Sequence, residues 1–328
     1  YNVGLTTMDF DYVNIHGKKE IITAAVWYPT EEEPHLYTYH TARDYESKVA
    51  FNASAVAKGG PYPLLLFIHG GFGSGYDSAY LTEYLARHGY IVVAPDYVDT
   101  RPPEYTEPIA FSTIKGGKQT PAITVFKVAE EWIQDMNANR EFFLSYLAEH
   151  RFDQTSFMID KMLELNDDKG SIFYQAMKGD TIGVVGYSEG GITTLGKIGA
   201  HPDAHFRDDR IRAALLLSAA TYPFENSLNL IAVPLMLIVG DNDPPNAGPD
   251  LPRRLIYDRA NVSKYFLVLK NADHYSFSNS VTIPDPLYLA AENNPQANAI
   301  CRYGLAFLQK YLERDATAND QLGKSDPQ

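Results

Sequence analysis

Short apolar runs alternate along this chain with stretches of helical period, and that rhythm sets the expected architecture. Leu64–Ile68 and Ile91–Ala94 are unbroken apolar runs of strand length, the pattern of strands covered on both faces. Further strands are expected at 181–185, 212–218, 234–239 and 264–269. Helical spacing fills 77–88, where Gly89 supplies the stop, and recurs at 189–199 and 296–313. Thr120-Pro121 joins a capping residue to a proline suited to the first helical position. A long helix is therefore expected over 121–149 and a second over 153–166. Residues 6–13 and 21–28 alternate apolar and polar about His16-Gly17-Lys18-Lys19, which predicts an antiparallel hairpin at a sheet edge. Residues 30–60 are polar and end in Gly59-Gly60-Pro61; they read as a loop with a short helix at 43–57. Strands alternating with helices imply an α/β fold with a mostly parallel central sheet flanked by helices. The main domain is expected over 1–315, with a helical insertion or lid at about 101–150 and a polar, frayed tail over 316–328.

Composition narrows the class. The chain has 328 residues, 45% of them apolar, which is enough for one large core. It lacks an apolar run long enough to span a bilayer, so no transmembrane segment is expected. A net charge of −13 argues against a nucleic-acid partner. The single cysteine, Cys301, excludes an internal disulfide and a cysteine-rich metal site, and is expected as a small buried apolar residue. Asp96, Asp99 and Glu104 read as solvent-facing carboxylates rather than a cation site, and neither metal nor cofactor is expected. The sequence begins at Tyr1 rather than Met, from which a processed, secreted or periplasmic chain is expected. Oligomeric state leaves no mark on the sequence.

The chemistry gathers around Ile182–Leu195. An apolar strand there leads into Gly186-Tyr187-Ser188-Glu189-Gly190, and a helical pattern follows. Glycines two residues either side of a serine are what a sharp strand-to-helix corner requires, with the serine oxygen held at the carboxyl edge of the sheet. A serine hydroxyl needs a base, and the base needs an orienting carboxylate. Loops at the carboxyl ends of later strands offer both: Gly240-Asp241-Asn242-Asp243-Pro244 and Lys270-Asn271-Ala272-Asp273-His274. His274 is assigned as general base and Asp243 as its orienter, with Asp241 as runner-up and Asp273 expected to point elsewhere. Two backbone N–H groups must hold the oxyanion. Glu189 should supply one and Phe72 or Gly71, in the glycine-rich loop after strand 64–68, the other. The Glu189 side chain is expected in solvent, His69 as a structural neighbour of that loop, and Tyr187 in the substrate pocket.

The segments His69-Gly-Gly-Phe-Gly, Gly186-Tyr-Ser-Glu-Gly, Gly240-Asp-Asn-Asp and Ala272-Asp-His274 resemble the α/β-hydrolase fold. With Val26-Trp27-Tyr28-Pro29 they are similar to bacterial serine esterases related to type II platelet-activating-factor acetylhydrolase, a group often labelled predicted dienelactone hydrolases. More distant polyester hydrolases place an aromatic residue where Phe72 stands and another where Tyr222 stands. The resemblance therefore implies an acyl pocket between Phe72 and Tyr222, and it supports Asp243 as the acid. True dienelactone hydrolases carry a cysteine nucleophile, whereas this corner holds serine. The expectation is a serine carboxylesterase acting on small or medium esters, lipid esters among them. An amidase, peptidase or acyltransferase with the same triad, or a non-enzymatic binding protein on this scaffold, are the alternatives.

Overall fold

The structure is a computed structural model that describes residues 1–97, 109–116, 120, 124–125, 127–128, 130–131, 134, 138–243, 253–279 and 286–323. Its centre is a ten-stranded sheet in the order β10-β9-β8-β7-β5-β6-β2-β1-β4-β3. The strands are β1 Asn2–Val13, β2 Lys19–Thr30, β3 His35–Tyr39, β4 Tyr45–Phe51, β5 Tyr62–Ile68, β6 Ile91–Pro95, β7 Met177–Tyr187, β8 Ile211–Leu217, β9 Leu235–Gly240 and β10 Lys264–Leu269. From β6 to β10 every neighbouring pair is parallel, and β2 joins β6 antiparallel. The chain lays β6 on one side of β5 and then β7 on the other. The loops after β5 and β7 thus part at the carboxyl ends of adjacent strands, where open α/β sheets bind ligands.

Helices cover both faces. On one lie α1 (Ala79–Arg87) and α7 (Pro295–Leu308), which bury Leu81, Leu85, Ile300, Cys301 and Phe307 against the sheet. On the other lie α2 (Arg140–Leu147), α3 (Asp153–Asp167), α4 (Glu189–Leu195) and α5 (Arg253–Arg259), with Phe143, Met158, Leu195 and Ile256 in that core. The short α6 (Ala290–Asn293) precedes α7. Among the described residues no helix is long and apolar enough to cross a membrane.

Four expectations are corrected. The hairpin β1–β2 is not at the edge, because β4 and β3 continue the sheet beyond it. Residues 43–57 hold a strand, β4, rather than a helix. Tyr45, Ser47 and Val49 turn inward while Glu46 and Lys48 face solvent, an alternation of period two. The expected helix 121–149 falls partly outside the described residues. From Arg140 onward it does not break near His150: a π-helical turn, Ala148–Phe152, carries α2 into α3. Asn139 caps its start by accepting a hydrogen bond from the Phe142 N–H. The tail, expected to fray, forms a further short helix, α8 (Ala318–Leu322), with Ala318 buried.

Candidate active site

Ser188 sits where β7 meets α4, at φ 54° and ψ −118°. A side chain rarely adopts that backbone, and holding it costs about 1–3 kcal/mol. The corner closes because Gly186 and Gly190 lack side chains. A Cβ on Gly190 would overlap the Ile68 carbonyl, and one on Gly186 would overlap Thr194 and the Gly190 carbonyl. The Ser188 carbonyl already accepts from Gly191 and Ile192, so α4 begins at once.

The loops after β9 and β10 bring their side chains to this corner. His274 Nε2 lies 2.9 Å from Ser188 Oγ, and His274 Nδ1 lies 3.0 Å from Asp243 Oδ1. Asp243 is only 2% exposed, whereas Asp241 faces solvent. Asp273 has another task. Its Oδ1 accepts from the N–H groups of Tyr275 and Ser276 at 3.0 Å each, and so caps the short 3-10 turn that carries His274.

Several groups that the sequence reading did not single out meet here. Ser218, just past β8, hydrogen-bonds Asp243 Oδ2 and stands 3.1 Å from His274 Nδ1. Arg253, buried at the start of α5, forms an ion pair with Asp243 and donates to Ser218 Oγ at 2.7 Å. Burial, and then the nearby Arg253 guanidinium, push the His274 imidazole down from its ordinary 6.5 to about 4; the Asp273 carboxylate pulls the other way. The Asp243 charge is shared with Arg253, which limits how far it can favour a charged imidazole. Nothing in the Arg253-Arg254 pair marks it in sequence as the partner of a carboxylate ten residues earlier.

The loop after β5 runs alongside. Gly70 approaches so closely that a Cβ there would sit 3.2 Å from Ser188 Cβ. Gly73 N–H closes a turn onto the Gly70 carbonyl at 3.3 Å, with Gly71 and Phe72 at its central positions and Phe72 at φ 63°. His69 is buried below the loop, its Nδ1 against the Gly70 carbonyl at 2.7 Å and its Nε2 accepting from the Tyr97 N–H at 3.1 Å.

Three placements differ from expectation. The Glu189 side chain is not in solvent: it is 8% exposed, 3.3 Å from Arg151, and accepts from Tyr146 Oη at 3.1 Å. Tyr187, expected in the pocket, is buried on the α7 side of the sheet and donates to the His274 carbonyl at 2.9 Å. It braces the histidine loop from beneath. Tyr222 is half-buried, with its ring parallel to that of Phe143 on α2 at 6.1 Å between centroids. Of the three carboxylates read as solvent-facing, Asp96 instead accepts from the Gly75 and Ile114 N–H groups at 2.9 and 2.7 Å. Asp99 and Glu104 lie outside the described residues.

Residues 44–114 match the family model described as Chlorophyllase. The matched stretch holds β4, β5, the loop His69–Gly73, α1 and β6. Chlorophyllase is a family of the α/β-hydrolase superfamily, and the match suggests an esterase-type hydrolase. The mostly parallel sheet flanked by helices is compatible with that superfamily's fold. No curated protein matches the chain.

Proposed function

We propose that this chain is a serine carboxylic-ester hydrolase with Ser188 as nucleophile, His274 as general base and Asp243 as the orienting acid. The observation that carries the reading is the run of contacts from Asp243 Oδ1 through His274 Nδ1 and Nε2 to Ser188 Oγ, at 3.0 and 2.9 Å. A carboxylate against Nδ1 favours the tautomer with its proton there, which leaves the Nε2 lone pair for the serine hydroxyl. With its pKa pushed down, His274 is neutral at pH 7 and has a lone pair free to take the serine proton, at the cost of some basicity.

In the proposed reaction Ser188 Oγ attacks the ester carbonyl as His274 takes its proton. The Glu189 N–H and that of Phe72 or Gly71 stabilise the oxyanion. The tetrahedral intermediate collapses, the C–O bond breaks, and His274 returns the proton to the departing alcohol. Water, deprotonated by His274, then attacks the acyl-enzyme, and Ser188 leaves as hydroxyl. The family match at the loop after β5 supports the ester as the bond. Phe72 and Tyr222, with Phe143 behind it, suit a small or medium acyl group.

Turnover of p-nitrophenyl butyrate tests the reading. Wild type should hydrolyse it, and Ser188→Ala should lose at least about 10⁴-fold in kcat. Retention of activity in Ser188→Ala would remove the assignment.

A further inference from the structure

Arg151 is an arginine on an apolar stripe. Phe143, Leu147, Arg151, Thr155 and Ile159 recur at four-residue spacing, and all five side chains are buried. The π-helical turn Ala148–Phe152 contains Arg151 and delivers it inward, fully shielded from solvent. Inserted π-turns of this kind are common at functional sites.

Its contacts are specific. Nη1 donates to the His69 carbonyl at 3.1 Å, and Nη2 lies 3.3 Å from Glu189 Oε1. The guanidinium stacks over the Tyr97 ring at 4.5 Å, and Tyr97 in turn donates its N–H to His69 Nε2. Tyr146 Oη donates to the same Glu189 oxygen, and Thr155 Oγ1 donates to the Arg151 carbonyl at 2.6 Å. One planar cation thus joins the residue that opens the loop after β5 to the residue that follows Ser188. Those are the two segments assigned to the oxyanion. A buried ion pair is a poor source of net stability, since desolvation offsets the attraction. A rigid fork that fixes the spacing of two loops is a use that survives that objection.

We propose that Arg151 is a positioning residue that sets the distance between the two oxyanion-binding backbone segments by bridging the His69 carbonyl and the Glu189 side chain. The proposal rests on the reading of Ser188 as nucleophile. It assigns Arg151 no contact with substrate.

The test compares wild type with Arg151→Lys, Arg151→Met and the double variant Arg151→Met/Glu189→Gln, which leaves no unpaired buried charge. Each is titrated with a fluorophosphonate, so that kcat on p-nitrophenyl butyrate is expressed per reactive site. Affinity is also measured for a trifluoromethyl ketone of the same acyl length. Ser188 Oγ adds to that ketone's carbonyl carbon, His274 takes the hydroxyl proton, and the resulting oxyanion needs both donors. In both Met forms kcat per site should fall about 10²-fold while KM moves by less than about threefold. Ketone affinity should fall in parallel with kcat. Lysine, a point charge that cannot fork, should lie between. Turnover per site and ketone affinity within about threefold of wild type in the double variant overturn the proposal. If neither Met form folds, Arg151→Lys decides by the same criterion. A wild type that neither hydrolyses the ester nor labels at Ser188 removes the underlying reading, and this proposal with it. A wild type that does both, beside unaffected variants, removes this proposal alone.

Discussion

Among the described residues Asp243 meets three partners in a nearly closed space: His274 Nδ1, Ser218 Oγ and the Arg253 guanidinium. In the proposed triad its first task is to hold the imidazole in one tautomer. Asp243→Asn should therefore lower kcat by about 10³- to 10⁴-fold, while solvent-facing Asp241→Asn should stay within about twofold. Steady-state kinetics on one ester checks both, and a larger loss at Asp241 would reverse the assignment. Arg253 adds a pH signature. Its positive charge disfavours an imidazolium at His274, so Arg253→Gln should raise the His274 pKa. The same change leaves Asp243 less divided, which acts in the same direction, while Asp273 is unaltered. The acid limb of kcat/KM should lie below the ordinary histidine value of 6.5 in wild type and move up by about one unit in the variant. A limb that stays put or falls would contradict the account. Ser188 is legible in sequence because its glycines answer a steric demand that few other structures make. Arg253 is not, because its partner lies across a loop whose path no local pattern states.

At the scale of elements, β4 and the helix at 140–167 carry most of what sequence reading missed. The alternation in β4 is hidden because its inward position 47 holds a polar serine, while Glu46 and Lys48 face solvent as expected of an outer strand. Its inward Ser47 donates to Glu83 on α1 at 2.7 Å, as does Tyr39 from β3, whose hydroxyl also accepts from Trp27 Nε1 at 2.8 Å. Burial pushes the Glu83 carboxyl up to about 7, while the hydroxyl donors pull it down by less. In the folded state Glu83 is therefore protonated over a range where the unfolded chain ionises it. Its stabilisation is complete below its ordinary 4.5 and is lost as pH rises toward about 7. Asp77, also pushed up to about 7 by burial, adds a slope of the same sign. The depressed His274 works in the opposite sense up to its ordinary 6.5, so the variant isolates the carboxyl: between pH 5 and 8 the Tm of Glu83→Gln should fall less steeply, or rise more, than that of wild type, a difference worth about 3 kcal/mol at most. An unchanged slope in the variant would show that Glu83 is not the source. Asn139→Ala, which removes the cap of α2, should cost about 1 kcal/mol in the same measurement. A variant as stable as wild type would mean that the cap contributes little. The strands of the parallel sheet were legible because burial on both faces leaves unbroken apolar runs. The π turn was not, since the apolar stripe runs through Arg151 without interruption in spacing.

Taken whole, the sheet topology brings the loops of the candidate site to one edge of the molecule's central sheet. Placing β6 and β7 on opposite sides of β5 parts the loops after β5 and β7, and β9 and β10 then supply their loops to the same edge. The general plan was readable from the order of apolar runs and glycine corners. What was not readable is how the pieces are tied: Arg151 and Tyr146 from the helix face, Ser218 from β8, and Tyr187 beneath the histidine loop. Each is a long-range contact through a side chain whose type is common and whose neighbours in sequence are unremarkable. The central claim is that Ser188 is a nucleophile activated by His274. Peptide mapping after treatment with a fluorophosphonate, on wild type and His274→Ala together, tests it most directly. The account predicts one phosphonyl group on the Ser188 peptide of wild type, with labelling slowed about 10²- to 10⁴-fold in His274→Ala. A wild type left unmodified at Ser188, or equal labelling rates in the two proteins, would contradict it.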